Sequence, residues 1–459
     1  MGREYPELTS IEICAGAGGQ AVGLHEAGFK HLALVEIDQY AVKTLNKNVK
    51  RKPRGGKDPW GWERENCLIF EKDVKEFEPS KEFPDLEQGQ LALLAGGVPC
   101  PPFSIAGKQL GHDDERDLFP RMLQLVDELR PQAVMIENVR GLLEPSHKFR
   151  PYRKRILKTL RDSGYEVCGW EVLEAASFGV PQLRPRAILV AIRKDLHRGF
   201  TWPKRTEAEG RTVFDVLDKS MRKRFGMNGG QAPGLDTAEL RELAQEKYKE
   251  WREKARPAVP GVAPTLVGGS KKHGGADLGP TRAKAAWRAL GVDAMGVAND
   301  EEDPNLRRDL FGANGPMITV RQAALVQGFP EGWEFEGGKT ARYRQVGNAF
   351  PPLVAQAVGE AIIAALRLPE SMPLVKGPVL DDDRHPESGE LSELPLFPDG
   401  IESVNVPAQS AEELPQAGRP ETVPAPLASD ADFATVPLSE VDHQVPGWGS
   451  TVLWDEKGA

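Results

Sequence analysis

The chain has 459 residues, 40% of them apolar, which is enough for a sizeable core plus a smaller second unit. No stretch approaches about 18 consecutive apolar residues, no basic segment leads into an apolar run at the N-terminus, and the four cysteines are too scattered for a CxxC pair, so a membrane span, a disulfide framework and a zinc knuckle are all disfavoured. The net charge of −9 conceals an asymmetry: residues 370–459 hold 18 acidic and 4 basic side chains, so the rest of the chain carries a small positive surplus that permits contact with nucleic acid. These features predict a soluble cytoplasmic monomer without a metal, associated with the nucleoid if the source is a prokaryote.

Taken in order, residues 10–14, 32–37, 91–95, 133–137 and 187–192 read as buried strands, and residues 20–28, 40–49, 118–129 and 153–163 carry helical spacing between them. That alternation predicts an α/β fold, a doubly wound Rossmann-like sheet with ligands at the carboxyl ends of its strands. The first strand runs into Cys14, Ala15, Gly16, Ala17, Gly18 and Gly19, a GxGxxA loop in which glycines let the backbone approach a ligand at a helix N-terminus. Glu36 ends the next strand, 20 positions after Gly16, where a carboxylate can accept hydrogen bonds from ribose hydroxyls. Alone, this pair fits a dinucleotide as well as an adenosyl cofactor.

The third strand leads to Pro99, Cys100, Pro101, Pro102, Phe103 and Ser104, which sets a thiol between stiffening prolines at the ligand-facing edge. Glu137 ends the following strand, and Gln182-Leu183-Arg184-Pro185-Arg186 opens the last one. A thiolate, a carboxyl and an arginine suit addition to an electron-poor ring. The sulfur attacks softly and reversibly, a carboxyl of raised pKa relieves charge on a ring nitrogen, and the guanidinium holds a carbonyl. Residues 105–117, with Gly107 and Gly111 as hinges, read as a loop that closes over the substrate.

Residues 201–314 break the alternation with glycine-rich, proline-punctuated and charged stretches and predict a separate irregular domain; the charge-mixed helical run 237–254 within it reads as a solvent-facing elaboration. Helical patterns at 323–327 and 352–366 return to the first lobe, and the Pro, Glu, Asp, Ser and Ala composition after Pro369 predicts a disordered acidic tail. The expected division is 1–200, 201–316, 317–369 and 370–459.

With these blocks in this order, residues 8–366 closely resemble the cytosine-5 DNA methyltransferases. Residues 99–104 are similar to the family's PCxxFS block, Glu137-Asn138-Val139 to its ENV block, 182–186 to its QxRxR block, 319–330 to the block bracing the recognition domain, and 345–352 to its closing cofactor block. The resemblance implies an S-adenosylmethionine-dependent methyltransferase sheet with an inserted target-recognition domain, double-stranded DNA as substrate, and a role in protecting DNA from a cognate restriction endonuclease. A solitary or phage enzyme and a tRNA methyltransferase are the alternatives. By resemblance, Cys100 is the nucleophile, Glu137 the partner of cytosine N3, and Arg184 and Arg186 the base and phosphate supports. The cofactor pocket comprises residues 14–19, Glu36, Ile37 against adenine, Asp73, Pro99, Asn348 and Ala349. Ser104, Gln182, Thr265, Leu266, Lys271, Lys272 and Arg282 are expected at DNA. Cys14 stands where the family commonly has an aromatic residue, and Pro101 where it has glutamine.

Overall fold

The computed structural model describes residues 8–50, 67–99, 117–143, 149–204, 210–229, 232–268, 276–378 and 380. In chain order the sheet-forming part holds β1 (Thr9–Ile13), α1 (Gly19–Ala27), β2 (Lys30–Glu36), α2 (Gln39–Val49), β3 (Leu68–Glu71), α3 (Pro79–Glu82), β4 (Leu93–Gly96), α4 (Phe119–Leu129), β5 (Ala133–Val139), α5 (Arg150–Asp162), β6 (Tyr165–Glu174) and β7 (Pro185–Arg193). The strands form one seven-stranded sheet in the order β3-β2-β1-β4-β5-β7-β6, parallel except for β7, which runs against both neighbours. β1 and β4 are buried along their whole length because helices cover both faces of the sheet, which is why β4 reads as an apolar run, while β1 also buries Thr9, Ser10 and Glu12. Strand order reverses between β1 and β4, and the connections after them diverge to leave a crevice at their carboxyl ends.

Polar pins and close backbone packing fix the elements that frame this crevice. His31 on β2 bridges Ser10 Oγ on β1 (2.9 Å) and the Ala21 carbonyl of α1 (2.9 Å), and burial lowers its pKa to about 4, so it holds both contacts as a neutral ring. Asp38 caps α2 by accepting hydrogen bonds from the backbone N–H groups of Tyr40 and Ala41.

Beyond the sheet come α6 (Val213–Arg224), α7 (Ala238–Ala255), α8 (Thr281–Ala289), α9 (Leu306–Asp309), α10 (Val320–Gln327), α11 (Lys339–Asn348) and α12 (Pro352–Leu366). The interval expected to be irregular is therefore substantially helical. α7 is not a solvent-facing elaboration: its Tyr248 and Trp251 are buried, and Trp251 stacks on Phe214 of α6 with ring centroids 5.6 Å apart. Its many charges obscure an apolar stripe spaced at Ala244, Tyr248, Trp251 and Ala255. The apolar α12 returns to the sheet as expected and packs on α1. The stretch Lys339–Leu366 is long and apolar enough to cross a membrane, yet 61% of its most apolar window is buried within the fold. Order also continues past Pro369. The Val375 N–H donates to the His197 carbonyl, the His197 ring meets the Val375 carbonyl, and the Gly377 N–H donates to Glu166 on the edge strand β6. The acidic tail from residue 381 lies outside the described residues.

Candidate active site

A cavity of about 540 Å³ opens at the carboxyl ends of β1, β2, β3 and β4. Its walls are the loop from Cys14 to Gln20, the turn from Glu36 to Asp38, residues 72–75, Gly97 and Pro99, Glu137, and the end of α11 with the following turn at Arg344, Gln345, Asn348, Ala349 and Phe350. Thus every cofactor residue that the resemblance named lines this cavity except Gly18, which sits within the same loop. Glu36 accepts hydrogen bonds from the N–H groups of Gly16 (2.7 Å), Ile37 (2.9 Å) and Asp38 (2.8 Å), which ties the glycine loop to the end of β2. Trp333 clamps that loop from the other side by donating to the Ala17 carbonyl at 3.0 Å. Gly19 has no alternative: a Cβ there would lie 2.3 Å from the Phe350 carbonyl oxygen.

The lining chemistry fits an adenosyl group. Ile37 is 65% exposed at the rim, an apolar surface that a flat ring can cover, and Glu36 holds a carboxylate next to it. The floor carries buried polar atoms without a protein partner among the described residues, namely Glu12 Oε2 and both amide atoms of Gln20. Glu12, Gln20, Lys72, Lys75, Arg344 and Gln345 line the cavity and were missed by the sequence reading. Glu12 had a signal, since a carboxylate inside the apolar run of β1 is an anomaly that asks for a reason.

Glu137 reaches the same cavity from β5. Arg186 Nε donates to Glu137 Oε1 at 2.9 Å, and the two side chains are only 15% and 14% exposed. Burial raises the Glu137 pKa, while the guanidinium groups of Arg186 and Arg184 oppose the rise. The backbone leading towards the predicted nucleophile is pinned to this strand. Asn138 Nδ2 donates to the Val98 carbonyl at 2.9 Å, and a Cβ on Gly97 would come within 3.0 Å of Glu137 Oε2. Cys100 itself, with Ser104 and most of the predicted closing loop, lies outside the described residues. The other three cysteines are unsuited to attack. Burial pushes Cys67 and Cys168 up to about 12, and burial with the Glu36, Asp73 and Glu12 carboxylates also raises Cys14.

A family profile described as C-5 cytosine-specific DNA methylase matches residues 8–364, which spans every wall of this cavity and the interval between β7 and α10. The chain belongs to the C-5 cytosine-specific DNA methylases. The methylase is 49% identical over 362 residues to the type II methyltransferase M.NaeI of Lentzea aerocolonigenes, covering 79% of this chain and 76% of that one. It is 41% identical over 367 residues to M.NgoMIV of Neisseria gonorrhoeae, covering 79% and 99%. Among solved structures it resembles a DNA modification methyltransferase described as putative and encoded within an Escherichia coli prophage, with a TM-score of 0.51, 21% identity, and 79% and 100% of the chains covered, a likeness of fold.

In this methylase the QxRxR block divides its labour. Arg186 pairs with Glu137, which lines the cavity, but Arg184 does not support a base or phosphate. It is 1% exposed, and its guanidinium donates to the carbonyls of Leu266 (2.7 Å), Gly347 (2.8 Å) and Ala349 (2.9 Å). Gln182 and Leu266 are fully buried and cannot touch DNA as expected: the Gln182 amide is consumed by Gln327 and by the Leu266 N–H. Thr265 donates its hydroxyl to the Leu183 carbonyl at 2.6 Å. Of the basic residues expected at DNA, Arg282 is exposed at the start of α8, and Lys271 and Lys272 lie outside the described residues. Asp73 lines the cavity while its side chain accepts from Lys75 N–H at 2.9 Å.

Proposed function

We propose that this methylase adds a methyl group to carbon 5 of a cytosine within one duplex DNA sequence, through a covalent adduct on Cys100, and that it protects DNA from a partner restriction endonuclease. The two relatives named as type II methyltransferases support the protective role. A cytosine inside a duplex hides its ring edge in the stack, so the base is extruded into the protein at a cost of about a few kcal/mol. Residues 201–316 carry the sequence-reading surface, and Lys271, Lys272 and Arg282 supply contacts to phosphates or guanine edges.

The observation that carries this proposal is Glu137: a carboxyl of raised pKa, shielded from water, paired with Arg186 and lining the same cavity as Pro99, the residue before Cys100. As a protonated acid, Glu137 donates to ring N3 while the Cys100 thiolate bonds to carbon 6, and the displaced ring electrons make carbon 5 nucleophilic. Arg186 holds the Glu137 carboxyl in place and presents its remaining N–H groups to the base carbonyl. Once carbon 5 carries the methyl group, its proton passes to solvent, and the electron pair left behind restores the ring double bond, expels the thiolate and frees Cys100. S-adenosylmethionine, when bound, supplies the electrophilic methyl group. Residues 14–19, Glu36, Ile37, Asp73, Pro99, Asn348 and Ala349 would hold it, with Glu36 on the ribose and Ile37 on the adenine.

Bisulfite sequencing of DNA from cells expressing the chain tests the function. New 5-methylcytosine at a single recurrent sequence is expected, with none for Cys100→Ser. An unmethylated genome in cells that contain the folded protein would overturn it.

A further inference from the structure

Three buried polar side chains, Gln182, Arg184 and Gln327, lie behind the cavity wall without lining the cavity. Together they tie two backbone positions. Leu266 is held at both ends of its peptide: its N–H donates to Gln182 Oε1 at 2.8 Å, and its carbonyl accepts from Arg184 Nη1 at 2.7 Å. Ala349 is held by the same set, because its carbonyl accepts from Arg184 Nη2 at 2.9 Å and from Gln327 Nε2, while Gln182 Nε2 donates to Gln327 Oε1 at 2.6 Å. Packing allows no slack between the two. A Cβ on Gly347 would lie 2.5 Å from the Gly268 backbone nitrogen, and one on Gly268 would lie 2.2 Å from Asn348 Oδ1.

The two ends of this connection belong to different parts of the fold. Asn348 and Ala349 are cavity wall. Leu266 anchors a segment that continues through Val267, 40% exposed, towards Lys271 and Lys272. A guanidinium is a rigid planar fork with donors on opposite edges, so a shift of the carbonyls on one edge is carried to the carbonyl on the other. Buried carbonyls cannot exchange these bonds for water, which makes the connection stiff.

We propose that Arg184 is a positioning residue that couples filling of the cofactor cavity to the placement of residues 265–268, and through them to DNA binding. The coupling rests on the functional reading above. It requires that S-adenosyl ligand and DNA strengthen each other's binding by the same factor. Lysine at position 184 keeps the charge and most of the volume but reaches only one edge of the cradle, so the coupling is lost before the fold is.

The test is calorimetric titration of S-adenosylhomocysteine into the full chain, alone and with a short duplex carrying the site mapped by bisulfite sequencing. Wild type should bind the ligand about fivefold or more tightly with the duplex present, and Arg184→Lys should reduce that ratio to within about twofold. A role confined to folding would instead lower the melting temperature and both affinities while leaving the ratio intact. If Arg184→Lys does not fold, Gln327→Met decides, since it cuts the path from Gln182 to Ala349 and should lower the ratio. An unchanged ratio in the folded variant, or a ratio of one in wild type, overturns the coupling. Failure of wild type to bind S-adenosylhomocysteine or duplex at all refutes the functional reading, and the coupling with it.

Discussion

Replacing either member of the Glu137–Arg186 pair should destabilise the methylase, but with opposite dependence on pH. The pair is shielded, with side chains 14% and 15% exposed and a contact of 2.9 Å, so removing one partner leaves a buried charge, a change that costs about 3–5 kcal/mol when the charge cannot be lost. In Glu137→Ala the stranded group is a guanidinium, which stays charged. In Arg186→Met it is a carboxyl, which can take up a proton. Burial already raises the Glu137 pKa in the intact protein, and Arg186 is the largest influence opposing that rise, so its removal raises the value further. A folded-state pKa above the unfolded one gives stability that is full below the unfolded value and disappears as pH rises through the folded value. The cost of Arg186→Met therefore grows with pH across the interval added by the mutation, by up to about 1.4 kcal/mol per pH unit. The cost of Glu137→Ala shrinks with pH across the lower interval, because wild type alone loses stability there. Urea unfolding of the three proteins between pH 5 and pH 9 measures both trends. A pH-independent cost for Arg186→Met would refute the assignment of Glu137 as a carboxyl held near protonation.

Three further outcomes follow from particular contacts. His31, ordinarily titrating near 6.5 and lowered to about 4 here, must be neutral in the folded state, so stability is lost as pH falls from 6.5 towards 4; the loss is about 3 kcal/mol, and unfolding of His31→Gln should lack it. Gly19→Ala forces a Cβ to 2.3 Å from a backbone oxygen, so denaturant unfolding should show a loss of about 1–3 kcal/mol together with weakened S-adenosylhomocysteine binding; wild-type binding and stability would contradict the clamp described for the glycine loop. Removal of residues 381–459 should leave methylation rates unchanged, because every residue lining the cavity falls between Glu12 and Phe350; a large fall in rate would assign the tail a part in the reaction.

Much of this architecture was legible because strands covered on both faces bury apolar runs, and β2, β4, β5 and the antiparallel β7 announce themselves in that way. β6 did not. It lies at the sheet edge, and its Glu166, Glu171 and Glu174 interrupt the apolar pattern. β3 has four residues and no fully buried one, so it offered little periodicity to read. At the site, residue type and order pointed to Glu137 and Arg186, which the fold brings into contact. The QxRxR spacing could not separate Arg186 from Arg184, because β7 begins at Pro185: Arg186 obeys strand periodicity and Arg184 precedes it. The burial of Gln182 and Leu266 was equally hidden, since it arises from partners 84 and 145 residues distant in the chain.

Duplex DNA in which 5-fluorocytosine replaces the target cytosine is the most direct probe, because fluorine at carbon 5 cannot be removed as a proton and the thiolate therefore cannot leave. Incubation with S-adenosylmethionine should yield a denaturation-resistant protein–DNA adduct, and peptide mass spectrometry should locate the DNA on Cys100. Methylation of ordinary DNA without any such adduct, or an adduct on Cys14, Cys67 or Cys168, would contradict the covalent mechanism.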